Sequence, residues 1–150
     1  MITTKELDKG TYRSIFPPMD FEIVQENARV PVTILRPLDR INLGNTERMI
    51  AKAKEVFANG SRHLLIDLSS VPSITSAGLR AIQRIYQLFG NEIISEDGKS
   101  TSQKTEEAKQ KFVPMKLLNP NPDVRRTLNL AGFASFIEIY DNRAEALLSF

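Results

Sequence analysis

His63-Leu64-Leu65-Ile66-Asp67-Leu68-Ser69-Ser70-Val71-Pro72-Ser73-Ile74-Thr75-Ser76-Ala77-Gly78-Leu79 decides the reading of this chain. A short apolar strand gives way to a polar turn, and then to hydroxyl residues where a helix begins. The first turn of a helix carries unpaired N–H groups at the positive end of its dipole. A hydroxyl there is a natural place to attach a phosphate or to meet an acidic partner.

Upstream of this stretch, Phe21 to Gln25 alternates apolar and polar, and Val30 to Leu35 is β-branched. The short link Glu26-Asn27-Ala28 makes them an antiparallel pair, with Pro31 at the strand's start or at an unpaired N–H. Arg40 to Asn45 is a loop, and Asn45 or Thr46 caps a helix whose stripe is Met49, Ile50, Ala53, Val56 and Phe57. Asn59-Gly60 ends it. Downstream, the second helix buries Leu79, Ile82, Ile85, Tyr86 and Phe89 and turns Arg80, Gln83, Arg84 and Gln87 outward, with Gly90 as its close. Ser95 to Lys111 then holds one hydrophobic residue, Ala108, in seventeen, so it reads as a loop with nothing to bury. Phe112 to Leu118 is a strand despite Pro114. Asn121-Pro122-Asp123 opens a helix that Gly132 ends, Phe136 to Tyr140 is the last strand, and Asp141 or Asn142 caps a final helix to Leu148.

Strands alternating with helices after an opening hairpin predict an α/β domain: a mixed β-sheet with about four helices. Its expected span is residues 20–150, with a polar loop insertion at about 95–111. Residues 1–19 read as an N-terminal extension, with Tyr12, Ile15 and Phe16 as docking residues.

Composition narrows the function. The chain has 150 residues, 41% hydrophobic and 25% charged, which suits one globular core. Twenty basic against eighteen acidic residues leave only +2, too small an excess to drive nucleic-acid binding. No apolar run approaches membrane-spanning length, and Met1 to Gly10 lacks the continuous apolar region of a secretion signal, so neither a span nor a leader is expected. Cysteine is absent, which permits a reducing compartment, and the expected location is the cytoplasm. Gly98-Lys99-Ser100-Thr101 imitates the end of a P-loop, but Ile93 stands where the motif needs glycine. His63 is the single histidine, so neither a histidine triad nor a multi-histidine metal site can be assembled. Asp67 ends a strand as a receiver's phospho-acceptor does, yet only the separated Glu22 and Glu26 could serve as the magnesium pair. No enzyme, cofactor or metal is expected. At Thr75 or Ser76 the plain alternative is a helix cap worth about 1 kcal/mol. Against it, Arg80 and Arg84 follow close behind, where the dipole disfavours cations.

Asp67-Leu68-Ser69-Ser70-Val71 followed by Ile74-Thr75-Ser76-Ala77-Gly78-Leu79 resembles the signature of STAS domains, the family of anti-sigma factor antagonists and sulfate-transporter tails. The likeness continues at Leu117 to Arg126, Leu128 to Phe133, Phe136 to Tyr140 and Ala144 to Leu147, and so covers roughly Asp20 to Leu148. Without a membrane segment it is similar to the free-standing antagonist branch. The resemblance implies a partner switch. The unmodified antagonist binds an anti-sigma factor, itself a serine kinase of the histidine-kinase-like ATPase fold, which releases it by phosphorylating a serine or threonine at the helix start. A serine phosphatase resets the cycle. The surface so implied comprises Ser73, Thr75, Ser76, Ala77, Arg80, Gln83 and Arg84. This chain departs from the pattern: Ala77 occupies the usual acceptor position before the glycine, and Thr75 replaces an acidic residue. Either Ser76, or Thr75, takes the phosphate, or the domain is a non-phosphorylated STAS scaffold in a larger signalling assembly. A small-ligand sensor would need a pocket.

Overall fold

The computed structural model describes residues 20–97 and 114–150. The expectations for residues 1–19 and for the polar segment from Gly98 to Lys111 lie outside them. Phe21–Asn27 (β1) and Pro31–Pro37 (β2) form an antiparallel hairpin, with Phe21 opposite Pro37 and Asn27 opposite Pro31. Leu64–Asp67 (β3), Met115–Leu118 (β4) and Ile139–Tyr140 (β5) continue the sheet in the order β1-β2-β3-β4-β5, each parallel to its neighbour. Between them run helices Thr46–Ala58 (α1), Ser76–Asp97 (α2) and Pro122–Leu130 (α3), and Arg143–Leu148 (α4) follows the last strand. This is the expected mixed sheet with its opening hairpin and four helices.

Strand periodicity divides the sheet into two faces. Leu35, Ile66, Leu117 and their neighbours meet Met49, Ala53 and Val56 of α1, Ile82, Ile85 and Phe89 of α2, and Val124 and Leu128 of α3. Phe57 closes edge-on against Phe89, centroids 5.0 Å apart. On the other face Val32, Ile34, Leu65 and Leu118 are covered through Ala146 of α4. Gly60 and Gly132 follow α1 and α3 with φ of +110° and +83°, the left-handed conformation in which glycine ends a helix cheaply.

Several boundaries differ from the sequence reading: β1 runs on through Glu26 and Asn27 of the expected link, β2 reaches Pro37, and β4 starts at Met115 after Pro114, with Phe112 and Val113 outside the described residues. Gly90 does not close α2, which runs on to Asp97, so Ser95 to Asp97 of the polar stretch are helical. Gly90 never adopts the positive φ by which a glycine stops a helix. The last strand is also shorter than Phe136 to Tyr140. Phe133–Ser135 makes a 3-10 turn, and Phe136 packs against Phe133 and Tyr86. Pairing with β4 starts where Leu117 N–H donates to Glu138 O at 3.0 Å.

Candidate functional site

Parallel strands deliver their following loops to one end of the sheet, where α/β folds place their sites. Three loops meet there: 38–45 after β2, 68–75 after β3 and 119–121 after β4. Backbone bonds join the first two. Ile41 N–H donates to Ser73 O and Thr75 N–H donates to Ile41 O, both at 3.0 Å, an isolated parallel bridge between Ile41 and Ile74.

The third loop is tied in by one side chain. Asn121 Oδ1 accepts from Val124 N–H at 2.7 Å and caps α3, while its Nδ2 donates to Val71 O and Pro72 O at 3.3 Å each. The sequence showed the cap and not the clamp, because Val71 and Pro72 lie about fifty residues away in the chain. Asn121→Asp keeps the cap acceptor and turns a carboxylate on two carbonyls. The expected result is a loss of about 1–3 kcal/mol in urea unfolding, from the unpaired carbonyls and their repulsion. Full stability of the variant would refute the clamp.

At the start of α2 the two hydroxyls have different work. Thr75 Oγ1 accepts from Gly78 N–H at 3.3 Å and reaches Ile41 O at 3.5 Å, so Thr75 is the N-cap. Ser76 is the first helical residue, exposed, and its hydroxyl has no hydrogen-bond partner among the described residues. Of the open choice between them for the cap, the structure selects Thr75. Ser73 is exposed, Ala77 half-buried, and Arg80, Gln83 and Arg84 are exposed. Positions 76, 80, 83 and 84 recur at helical spacing, so these side chains share one face. Arg84 stands in the third turn, beyond the reach of the helix-end dipole, so only Arg80 bears on that argument.

Asp67 is buried and accepts from Ser69 N–H at 2.9 Å, a turn-forming role that leaves it no opening to a phosphate donor. His63 immediately precedes β3, at the opposite end of the sheet, edge-on to Phe150. There it borders a cleft of about 500 Å³ lined also by Gln25, Thr33, Glu55, Ser61 and Arg62. No group of three metal-ligating side chains occurs among the described residues, and none of their helices is long and apolar enough to cross a membrane.

The fold is that of a STAS domain. The STAS family model matches residues 23–94 and 103–146, and the chain belongs to that family. The gap in the match falls inside the polar stretch. Among solved structures, a Thermotoga maritima protein to which an anti-sigma factor antagonist role is ascribed is 26% identical, with a TM-score of 0.61 over 85% of this chain and 90% of that one. An anti-sigma factor antagonist from Mycobacterium paratuberculosis is 19% identical, TM-score 0.59, over 85% and 92% of the two chains. The Bacillus cell fate determinant SpoIIAA in its phosphorylated form is 14% identical, TM-score 0.54, over 85% and 96%. No curated protein matches the chain in sequence.

Proposed function

We propose that this chain is a cytoplasmic regulatory module of the anti-sigma factor antagonist type, which binds its partner through the first turns of α2 and is switched by phosphorylation of Ser76. The observation that carries the reading is the division of labour between Thr75 and Ser76. Thr75 spends its hydroxyl on the helix cap. Ser76 presents an exposed hydroxyl without a partner among the described residues, beside Arg80 and Gln83, at the end of the sheet where three loops converge.

The partner is an anti-sigma factor that is also a serine kinase of the histidine-kinase-like ATPase fold, with a serine phosphatase to reset the switch. Phosphate on Ser76 adds about −1.5 to −2 charges. Inside a packed contact that charge must be desolvated, and it neutralises a surface built around arginine. No catalysis is assigned to the chain: a nucleophilic hydroxyl needs an adjacent base, and the single histidine lies at the far end of β3.

Ser76→Glu is expected to weaken partner binding by about tenfold or more, roughly 1.4 kcal/mol, and Ser76→Ala to leave it unchanged in calorimetry. Incubation with the partner kinase and ATP should place phosphate on Ser76 and not on Thr75 in phosphopeptide mass spectrometry. Equal affinities of the two variants, with no phosphate on either hydroxyl, would leave the second reading, a scaffold without phosphoregulation. That reading is favoured by Ala77 at the usual acceptor position.

A further inference from the structure

The arginines of the described chain fall into distinct groups. Arg36, Arg125, Arg126 and Arg143 each meet a carboxylate, on Glu22, Asp141, Asp123 and Glu26 respectively. Arg29, at the hairpin turn, donates to Leu148 O at 3.5 Å and Arg62 lies over the Phe57 ring, whereas Arg40, Arg48, Arg80 and Arg84 are exposed and meet no carboxylate among the described residues. These four are not scattered. Arg40 lies in the loop before α1 and Arg48 in the first turn of α1, while Arg80 and Arg84 are on the outer face of α2, which packs against α1. Asp39 and Glu47 are the acidic residues next to them in the chain. Four cations against two anions leave an excess of two positive charges.

Between Arg40 and Arg48 stands Leu43, 78% exposed. It is held out by a built loop. Asn42 Oδ1 accepts from Gly44 N–H at 2.8 Å, and Asn45 Oδ1 accepts from Asn42 N–H at 3.0 Å. Asn45 Nδ2 donates to Arg40 O at 2.7 Å. Asn45, spent on the loop, gives α1 no side-chain cap. A cap bond is thus forgone where an apolar side chain is displayed in a fixed position, and the open end of α1 adds positive potential. The loop is joined to the Ser76 turn through the Ile41–Ile74 bridge.

We propose that Leu43 and the four arginines form a docking surface for a protein whose complementary face is acidic and holds an apolar socket, with Leu43 in the socket and the arginines paired to carboxylates around it. This rests on the reading above, in that the occupant is the partner whose binding Ser76 governs. It adds a reason for release, because a phosphate of about −1.5 to −2 charges cancels the excess of this face.

The test uses the full chain, immobilised, and the protein it retains from native lysate at about 0.05 M NaCl, purified and titrated against variants. Leu43→Asp and the pair Arg48→Glu with Arg80→Glu should each raise Kd about tenfold or more, the charge pair mainly by slowing association and only at low salt. Leu130→Asp, at a residue 82% exposed outside this face, should leave Kd unchanged. Leu43→Ser replaces Leu43→Asp should the latter melt early. Loss of binding in these variants with none in Ser76→Glu sustains the surface and sinks the phosphoswitch. Loss in Ser76→Glu alone does the reverse. Affinities within about twofold of wild type for both Leu43 and arginine variants overturn the proposal, as does a wild-type column that retains nothing.

Discussion

Gly78→Ala is expected to cost about 1–3 kcal/mol of stability, while the same substitution at Gly90, some three turns along the same helix, gains up to about 1 kcal/mol. Helix propensity alone favours alanine at both positions. What reverses the sign at Gly78 is a close approach. A Cβ there would lie 2.7 Å from Ile74 Cγ1, 2.8 Å from Ile41 Cγ2 and 2.8 Å from Ile41 O. The two methyl-bearing chains could rotate, but the carbonyl oxygen cannot, since it already accepts from Thr75 N–H at 3.0 Å. At Gly90 a Cβ would find nothing within 4 Å. Urea unfolding of the two variants side by side measures this, and an alanine at 78 as stable as the one at 90 would refute it. The consequence reaches the site. Gly78 lets the first turn of α2 sit on the Leu43 loop, so the variant that strains this contact should also lose partner affinity while Gly90→Ala keeps it.

That close approach also marks how much was legible beforehand. The hairpin, the four helices and the strand-turn-helix at Ser76 could be read because each rests on local alternation, helical spacing or capping chemistry within a few residues. Gly90 misled for the same reason. A glycine stops a helix in this way only when the backbone takes a left-handed turn, and Gly90 keeps a helical φ inside α2. Phe136 read as strand because it is apolar and precedes Ile137, Glu138 and Ile139. Its ring instead joins Tyr86 from α2, fifty residues earlier in the chain. At the site, Ser76, Arg80, Gln83 and Arg84 were visible as one helical face, whereas Asn121's clamp and Leu43's display depend on contacts between loops that no single window contains. A lone leucine in Asn42-Leu43-Gly44-Asn45 was the one signal available for the latter, an apolar residue among turn formers.

Lys116 carries the second large effect. It interrupts an apolar strand and is 4% exposed, a position that an ammonium group occupies only when its donors are all used. Nζ reaches Ser149 O, Ser149 Oγ and Glu138 Oε1, each at 2.9 Å, and lies 4.8 Å from the centroid of the Phe150 ring. One lysine thus ties the end of α4 and the approach to β5 onto the second face of the sheet. Lys116→Ala should cost about 2–4 kcal/mol, because it opens a cavity and strips the Ser149 carbonyl of its donor. Lys116→Met strips the same carbonyl but fills the space, so it should cost about 1–2 kcal/mol less than the alanine variant. Glu138, half exposed, is taken up by water in both variants.

His63 gives an independent readout. Its pKa is lowered, first by burial and to a lesser degree by the positive charge of Lys116, against a hydrogen bond with Pro31 that raises it. The neutral ring is therefore the form the fold prefers. Its contribution is fully present above the unfolded value near 6.5 and is lost as pH falls through the lower folded pKa. Without Lys116 the folded pKa should move up towards 6.5, only part of the way because burial remains, and the acid limb should flatten accordingly. As the single histidine, His63 gives one ring signal to follow by NMR. An unmoved titration in Lys116→Met, together with equal losses in the alanine and methionine variants, would mean that the ammonium is solvated in the native state and that α4 is held by its apolar contacts alone.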